Sequence, residues 1–409
     1  MTMTMTAAIA ASPPSISTPR GCPVCAADRP SSLYDNAMAS IDRYCFSYPV
    51  VACENCGAVY AARALAPDAM GDYYRELSKY SHDEVSAFDQ HRLRLAARFV
   101  RSLCSERGKL LDVGCSTGAF LVEAVLAGMQ SVAGIEPSPA AVAIARARHG
   151  FDVEVGEAES FAGYRSFDVV SLFAVLEHLR EPARFFHGLA RELKPGALLV
   201  VEVPDADAFA AYDDIGVITE PFGEFSLEHI NFFGVDALER LGASAGLKLV
   251  ASETNRLLSG AFARLAAFRK EHAAIQQGQS GPTTRASDSV LRYVARSSEA
   301  MMDVDHRLAA LAQRGTPIIV YGAGSHTARL MMRDAFAALR VALIVDRNVN
   351  LTGRLMNGVT IALPAQIAAF QNLPVLVSSF NASEQIAHEL RDRFPNEVVC
   401  LYAAHRHFS

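Results

Sequence analysis

Tryptophan is absent from this chain of 409 residues, and several other things are scarce. No apolar run approaches the roughly 18–20 residues that span a bilayer, so no membrane-spanning helix is expected. An excess of basic charge is also missing. Lys and Arg total 38 against 44 Asp and Glu, a net charge of −6, which argues against a general nucleic-acid binder. Cysteine is sparse: eight residues are too few for a disulfide-built secreted fold. Met1 to Arg20 has no basic start and only a five-residue apolar stretch, Ala7 to Ala11, so a disordered tail is expected over 1–20 rather than a secretion signal. The expected compartment is the reducing cytoplasm, where paired cysteines suggest metal before disulfide. What is present is ordinary globular material, 51% hydrophobic and 20% charged, enough for two or three domains.

The cysteines are clustered. Cys22-Pro-Val-Cys25 and Cys53-Glu-Asn-Cys56-Gly57 are two chelating pairs separated by 27 residues. Each fits one tight turn, and two such turns brought together make a closed tetrahedral thiolate site for a structural zinc. Such a site would hold together a domain, 21–75, too small to bury a strong core. Four unrelated thiols or a redox Cys-x-x-Cys are the alternatives.

Strand and helix signals alternate from about 109 to 254, after a helix over 88–104 whose Leu93, Ala96, Val100 and Leu103 share a face. This pattern predicts an α/β domain over 76–254 with a parallel sheet covered on both faces. Residues 255–312 are Ala/Arg-rich and read as a helical connector of two helices. Alternation resumes over 313–409, which predicts a second, smaller Rossmann-like domain.

Within the central domain, Asp112-Val113-Gly114-Cys115-Ser116-Thr117-Gly118 ends a strand and opens a helix. Glycines allow close backbone approach, and a helix N-terminus favours negative groups. Glu136-Pro137 ends the next strand, where a carboxylate can accept both hydroxyls of a ribose. Glu157-Ala158 follows the third strand, and Phe173-Ala174-Val175-Leu176-Glu177-His178 the fourth. This set resembles class I S-adenosylmethionine-dependent methyltransferases. A dinucleotide-binding Rossmann domain is the alternative, but the spacing Gly114-x₃-Gly118 departs from its fingerprint. The resemblance implies that Asp112, Gly114, Cys115 and Gly118 line the methionine and ribose part of the cofactor. It places Glu136 and Pro137 at the ribose, Glu157 and Ala158 beside adenine, and Phe173 at the start of the segment near the reactive methyl. Cys115 reads as a small packed residue rather than a nucleophile.

The order of cysteine knuckles, central methyltransferase and C-terminal α/β domain resembles the bacterial sugar C-methyltransferases, which act on nucleotide-linked keto-deoxysugars. That family carries a Tyr-x-Glu-His segment after the central sheet. Here Glu228 and His229 match, Ser226 stands at the tyrosine position, and a later aromatic tyrosine is phenylalanine. The resemblance implies His229 as the base that removes a proton next to a ketone, with Glu228 orienting its ring. It implies His178 as support for substrate or enolate, and Tyr80 as an aromatic of the site. A structural role for the Glu-His pair, or for Tyr80, is the alternative. The expected substrate is therefore a small molecule, a nucleotide-sugar, with neither nucleic acid nor membrane as partner; nothing fixes the oligomeric state. An O- or N-methyltransferase of another metabolite is the rival.

The last domain opens with Val320-Tyr321-Gly322-Ala323-Gly324-Ser325-His326, and Asp346 ends the next strand. Read alone this is a dinucleotide fingerprint lacking its third glycine. The family resemblance implies instead a domain without redox cofactor that helps bind the nucleotide-linked substrate. A purely structural turn is the third reading.

Overall fold

The structure, a computed structural model, describes residues 17–77, 86–104, 108–158, 160–215, 220–226, 228–270, 281–380 and 382–402. At its centre lies a seven-stranded sheet. Its strands are β1 (Lys109–Val113), β2 (Ser131–Glu136), β3 (Asp152–Val155), β4 (Val169–Phe173), β5 (Leu198–Pro204), β6 (Leu247–Arg256) and β7 (Phe262–Lys270). The spatial order is β6-β7-β5-β4-β1-β2-β3. β1 to β5 run parallel, while β7 is antiparallel to both neighbours.

Alternate residues along the strands feed two separate cores, as a doubly covered sheet requires. Leu110, Val169 and Leu198 pack with Leu93, Phe120 and Val142 from the helices Ala87–Leu103, Ala119–Leu126 and Pro139–His149. Leu111, Val170 and Leu199 pack with Phe186, Leu189 and Leu238 from the helices Pro182–Glu192 and Val235–Ser244. The chain order reverses at β1, between β2 and β4. A crevice outside the strand ends is expected there, and it is where ligands bind in open α/β sheets.

Residues 262–270 are a correction. Their Ala/Arg-rich composition reads as helix, but they form β7. Propensity yields to position: Ala263 to Phe268 are buried between β5 and β6, where a helix could not complete the ladder. The central sheet therefore continues past 254, and among the described residues of the connector the helix is Arg285–Gln313; residues 271–280 lie outside them. Only the end of the expected disordered tail is described, and it is ordered. Ser17–Pro19 pairs antiparallel with Arg63–Leu65, and the Arg20 guanidinium donates to Asn231 Oδ1 (2.7 Å) and the Arg180 carbonyl (2.8 Å).

The cysteine-bearing segment builds a four-stranded antiparallel sheet from Pro30–Asn36, Tyr48–Cys53, Val59–Ala61 and, from far along the chain, Asn231–Phe232. The C-terminal domain is a six-stranded sheet with Ile318–Tyr321 inside, flanked by Val341–Val345 and Val375–Val377. Its first helix is short, Ser325–Leu330, with a separate turn at Asp334–Ala337. The long helix joins the halves: Val290, Tyr293, Met301 and Leu308 share a core with Phe46 and Val50 on one side and Val320 and Ile344 on the other.

Candidate active site

The two cysteine pairs meet. Cys22 Sγ lies 3.5 Å from Cys56 Sγ, Cys25 Sγ lies 3.6 Å from Cys53 Sγ, and all four sulfurs lie within 4.8 Å of one another. A tetrahedron with metal–sulfur bonds of about 2.3 Å has edges near 3.8 Å, so the thiols fit a metal of that kind. Each pair sits on a tight turn: Ala26 N–H donates to the Cys22 carbonyl (2.9 Å), and Gly57 N–H to the Cys53 carbonyl (2.7 Å). Gly57 has φ +79°, and a Cβ there would stand 2.1 Å from the Thr283 carbonyl oxygen. Asn55 Nδ2 donates to Cys25 Sγ at 3.4 Å.

At the ends of β1 and β2 the glycine-rich turn and Glu136 come together. Gly114 has φ +76°, and a Cβ there would lie 2.6 Å from Val175 Cγ2, so the turns after β1 and β4 touch at the switch point. Glu136 accepts backbone N–H groups from Ser116 (3.0 Å) and Ser138 (2.9 Å). Burial raises its pKa against those two bonds. Pro137 and Glu157 are exposed, and Ala158 is half-buried with its carbonyl accepting from the Tyr164 hydroxyl (2.8 Å). Phe173 is buried edge-to-face against Phe120, centroids 4.4 Å apart. Cys115 belongs to the core, its thiol against Gly134, where a Cβ would come within 2.4 Å. It acts as a packing residue, and burial raises its pKa.

Glu136→Ala is expected to weaken S-adenosylmethionine binding by roughly 1–3 kcal/mol, as for other hydrogen bonds to charged groups. Titration calorimetry beside a melting curve checks this; unchanged affinity removes Glu136 from the cofactor site.

Asp112 is fully buried and accepts the Ser171 hydroxyl at 2.7 Å. Burial pushes its pKa from 3.8 to about 7, with Ser171 and Arg92 opposing, and Glu136 and Glu202 adding to the rise. A raised carboxyl contributes its stability below the unfolded pKa and loses it as pH climbs through the folded one. Without cofactor, Asp112→Asn should therefore gain stability relative to the parent between about pH 4 and pH 8, by at most about 1.4 kcal/mol for each tenfold weakening of the acid on folding. Denaturant midpoints that run parallel with pH would contradict it.

Beyond β4 the chain turns through Ala174, which has φ +55°, into Leu176-Glu177-His178. The His178 and His229 rings lie 5.0 Å apart. Asn231 Nδ2 donates to the carbonyls of Leu176, Glu177 and Leu179, which pins this turn to the segment that carries His229. His178 Nδ1 donates to the Glu228 carbonyl (3.1 Å). The Glu228 carboxylate accepts the Tyr73 hydroxyl at 2.9 Å. Ser226 Oγ accepts the His229 N–H (3.2 Å), and the Tyr48 hydroxyl donates to the Ser226 and His229 carbonyls, each at 3.1 Å. At the position where the resemblance expects tyrosine, Ser226 acts as a turn former, and Tyr48 and Tyr73 of the N-terminal region reach the same segment. Arg92 pairs with the buried Glu202 beside the same strand ends. Tyr80 lies outside the described residues.

Sequence reading missed Tyr48, Tyr73, Arg92, Glu202 and Glu177 as members of this region. Glu177 stands within the Leu-Glu-His motif itself. The tyrosines carried no local signal, because Tyr73 and Glu228 are 155 residues apart.

The second glycine-rich turn repeats the logic of the first. Asp346 accepts Ala323 N–H (2.7 Å) and Asn348 N–H (2.8 Å), as Glu136 does with Ser116 and Ser138. His326 contacts Tyr402 Oη and Glu220.

Residues 85–252 match the family described as a methyltransferase domain. Over 95 residues the chain is 38% identical to the ubiquinone biosynthesis O-methyltransferase of Thiobacillus denitrificans, covering 22% of this chain and 40% of that protein. Over 106 residues it is 33% identical to the tRNA U34 carboxymethyltransferase of Idiomarina loihiensis, covering 23% and 32%. The chain thus spans about two-fifths or less of the length of these relatives. Among solved structures, the Burkholderia thailandensis 1,6-didemethyltoxoflavin-N1-methyltransferase has a TM-score of 0.41 at 16% identity, covering 52% of this chain and 95% of that one. The CcbJ methyltransferase of Streptomyces caelestis has 0.36 at 17% identity, covering 47% and 100%. No helix among the described residues is long and apolar enough to cross a membrane. With the matched segment, the sheet order and the acid-bearing strand ends in agreement, residues 85–252 are a class I methyltransferase domain of the S-adenosylmethionine-dependent type.

Proposed function

We propose that this protein transfers a methyl group from S-adenosylmethionine to carbon of a small keto substrate, a nucleotide-linked deoxysugar, with one structural zinc on Cys22, Cys25, Cys53 and Cys56. The observation that carries the reading is the pair of imidazoles, His178 and His229, held 5.0 Å apart beside the switch point of a methyltransferase sheet. Bound S-adenosylmethionine supplies an electrophilic methyl on sulfur. Glu136 would receive its ribose hydroxyls, Glu157 and Ala158 would flank adenine, and the Gly114–Gly118 turn would admit the methionine part.

Carbon methylation needs a proton removed from an unactivated C–H next to a carbonyl. A ring nitrogen of His229 takes that proton, and the C–H electron pair becomes the enolate. His178 steadies the oxygen on which negative charge grows. Glu228, held by Tyr73, fixes the backbone between the two rings through its carbonyl bond to His178. The C-terminal domain, with its second glycine-rich turn, is proposed to meet the nucleotide part, and nucleic acid is not a proposed partner.

A second reading, O- or N-methylation of another small metabolite, is favoured by the names of the ubiquinone O-methyltransferase relatives and needs no C–H base. Mass spectrometry of products from a panel of nucleotide-linked keto sugars tests the first reading. A gain of one methyl on at least one of them supports it. Turnover of hydroxylated or amine acceptors, with none of the sugars changed, would favour the second.

A further inference from the structure

We infer that Glu177 supplies the buried counter-charge for His178 and His229, a positioning role that rests on the reading of His229 as base. Glu177 is 1% exposed, and its Oε2 has no hydrogen-bond partner among the described residues. Its Oε1 stands 3.9 Å from His178 Nε2, and a carboxylate oxygen with one ring nitrogen from each histidine all lie within 4.8 Å of one another.

The tautomer of His178 sharpens the point. A carbonyl only accepts, so Nδ1 carries the proton donated to Glu228. In the neutral ring Nε2 is then a lone pair turned toward a carboxylate, acceptor against acceptor. A positive charge on the imidazoles removes that conflict. The charge that appears when His229 accepts the substrate's proton forms within the same small space, beside an anion that water does not screen.

The backbone of this turn has ties of its own. The turn is tied by the Glu177 backbone carbonyl, which accepts from Ile230 N–H (3.0 Å) and Asn231 Nδ2 (3.3 Å). Among the described residues, the charged and titratable groups that act on the carboxyl include His178, His229, Arg92 and Glu202; Glu228, Tyr73 and Tyr48 lie about the histidine segment. Burial raises the Glu177 pKa; His178, the residue's own backbone N–H and Arg92 oppose the rise, and Glu202 adds to it.

Glu177→Gln keeps the shape and removes the charge. Labelled-histidine NMR titration of the full chain, with no substrate, should show the pKa of His178 or His229 falling by roughly one pH unit. In turnover, kcat should drop roughly 10–100-fold with the keto substrate's KM and cofactor affinity unchanged, and the acid limb of the kcat profile should move to lower pH. Glu177→Asp should recover part of the loss. A merely structural residue would lower the melting temperature and leave both the titration and the acid limb in place, which overturns the inference. So would uptake of one Mn²⁺ by the parent, a metal that thiolates bind poorly, if Glu177→Gln abolished it, because a cation would then be the missing charge. If the histidine titration moves and turnover does not, the counter-charge stands and the reading of His229 as base fails.

Discussion

Replacing His229 with alanine is expected to slow methyl transfer about 10²–10⁴-fold, the usual cost of losing a general base, while cofactor affinity stays nearly intact. The structure makes this a clean substitution. The segment is held through the backbone at this position, with Ser226 Oγ taking the His229 N–H and the Tyr48 hydroxyl meeting its carbonyl. Removing the ring leaves those bonds in place. Exchange gives a finer reading than turnover. The parent enzyme should wash deuterium from the carbon next to the substrate ketone even without methyl donor, and the variant should not. Normal turnover in the variant would move oxygen or nitrogen methylation ahead.

Loss of a knuckle cysteine should do more damage than loss of any other single side chain. Structural zinc sites carry apparent binding free energies of about 10–16 kcal/mol near neutral pH, and in small domains that energy is folding energy. Cys53→Ser is therefore expected to unfold the four-stranded N-terminal sheet. The consequence reaches the active site, because Asn231–Phe232 is a strand of that sheet, paired with Val59 and Tyr60, and lies two residues after His229. Methyl transfer should fall with the metal. Elemental analysis should give one zinc per chain in the parent and little in the variant. Less than about half an equivalent in metal-replete parent protein would contradict a four-thiolate zinc site.

The central sheet was legible because a parallel sheet buried on both faces writes apolar-rich strands, as in Val169–Phe173 and Leu198–Pro204, separated by helices with capping signals such as Ser138-Pro139. The acids at strand ends were legible for the same reason: the strand fixes where the next residue emerges. β7 was not, since its alanines and arginines favour helix in isolation and become strand only when β5 and β6 close around them. The N-terminal sheet was hidden because one of its strands arrives from residue 231. The knuckles could be paired from spacing alone, yet nothing local announced that Tyr48 and Tyr73 would stand beside Ser226 and Glu228. Glu177 was visible as part of a motif, but the burial that leaves its Oε2 without a partner among the described residues is a property of the packed turn.

On the proposed reading the acceptor atom is carbon. Turnover of a nucleotide-linked keto sugar with methyl-¹³C-labelled S-adenosylmethionine, followed by NMR of the product, tests it directly. The expected product carries the labelled methyl on the carbon next to the carbonyl, with the proton at that carbon replaced. A label bonded to oxygen or nitrogen would contradict carbon methylation.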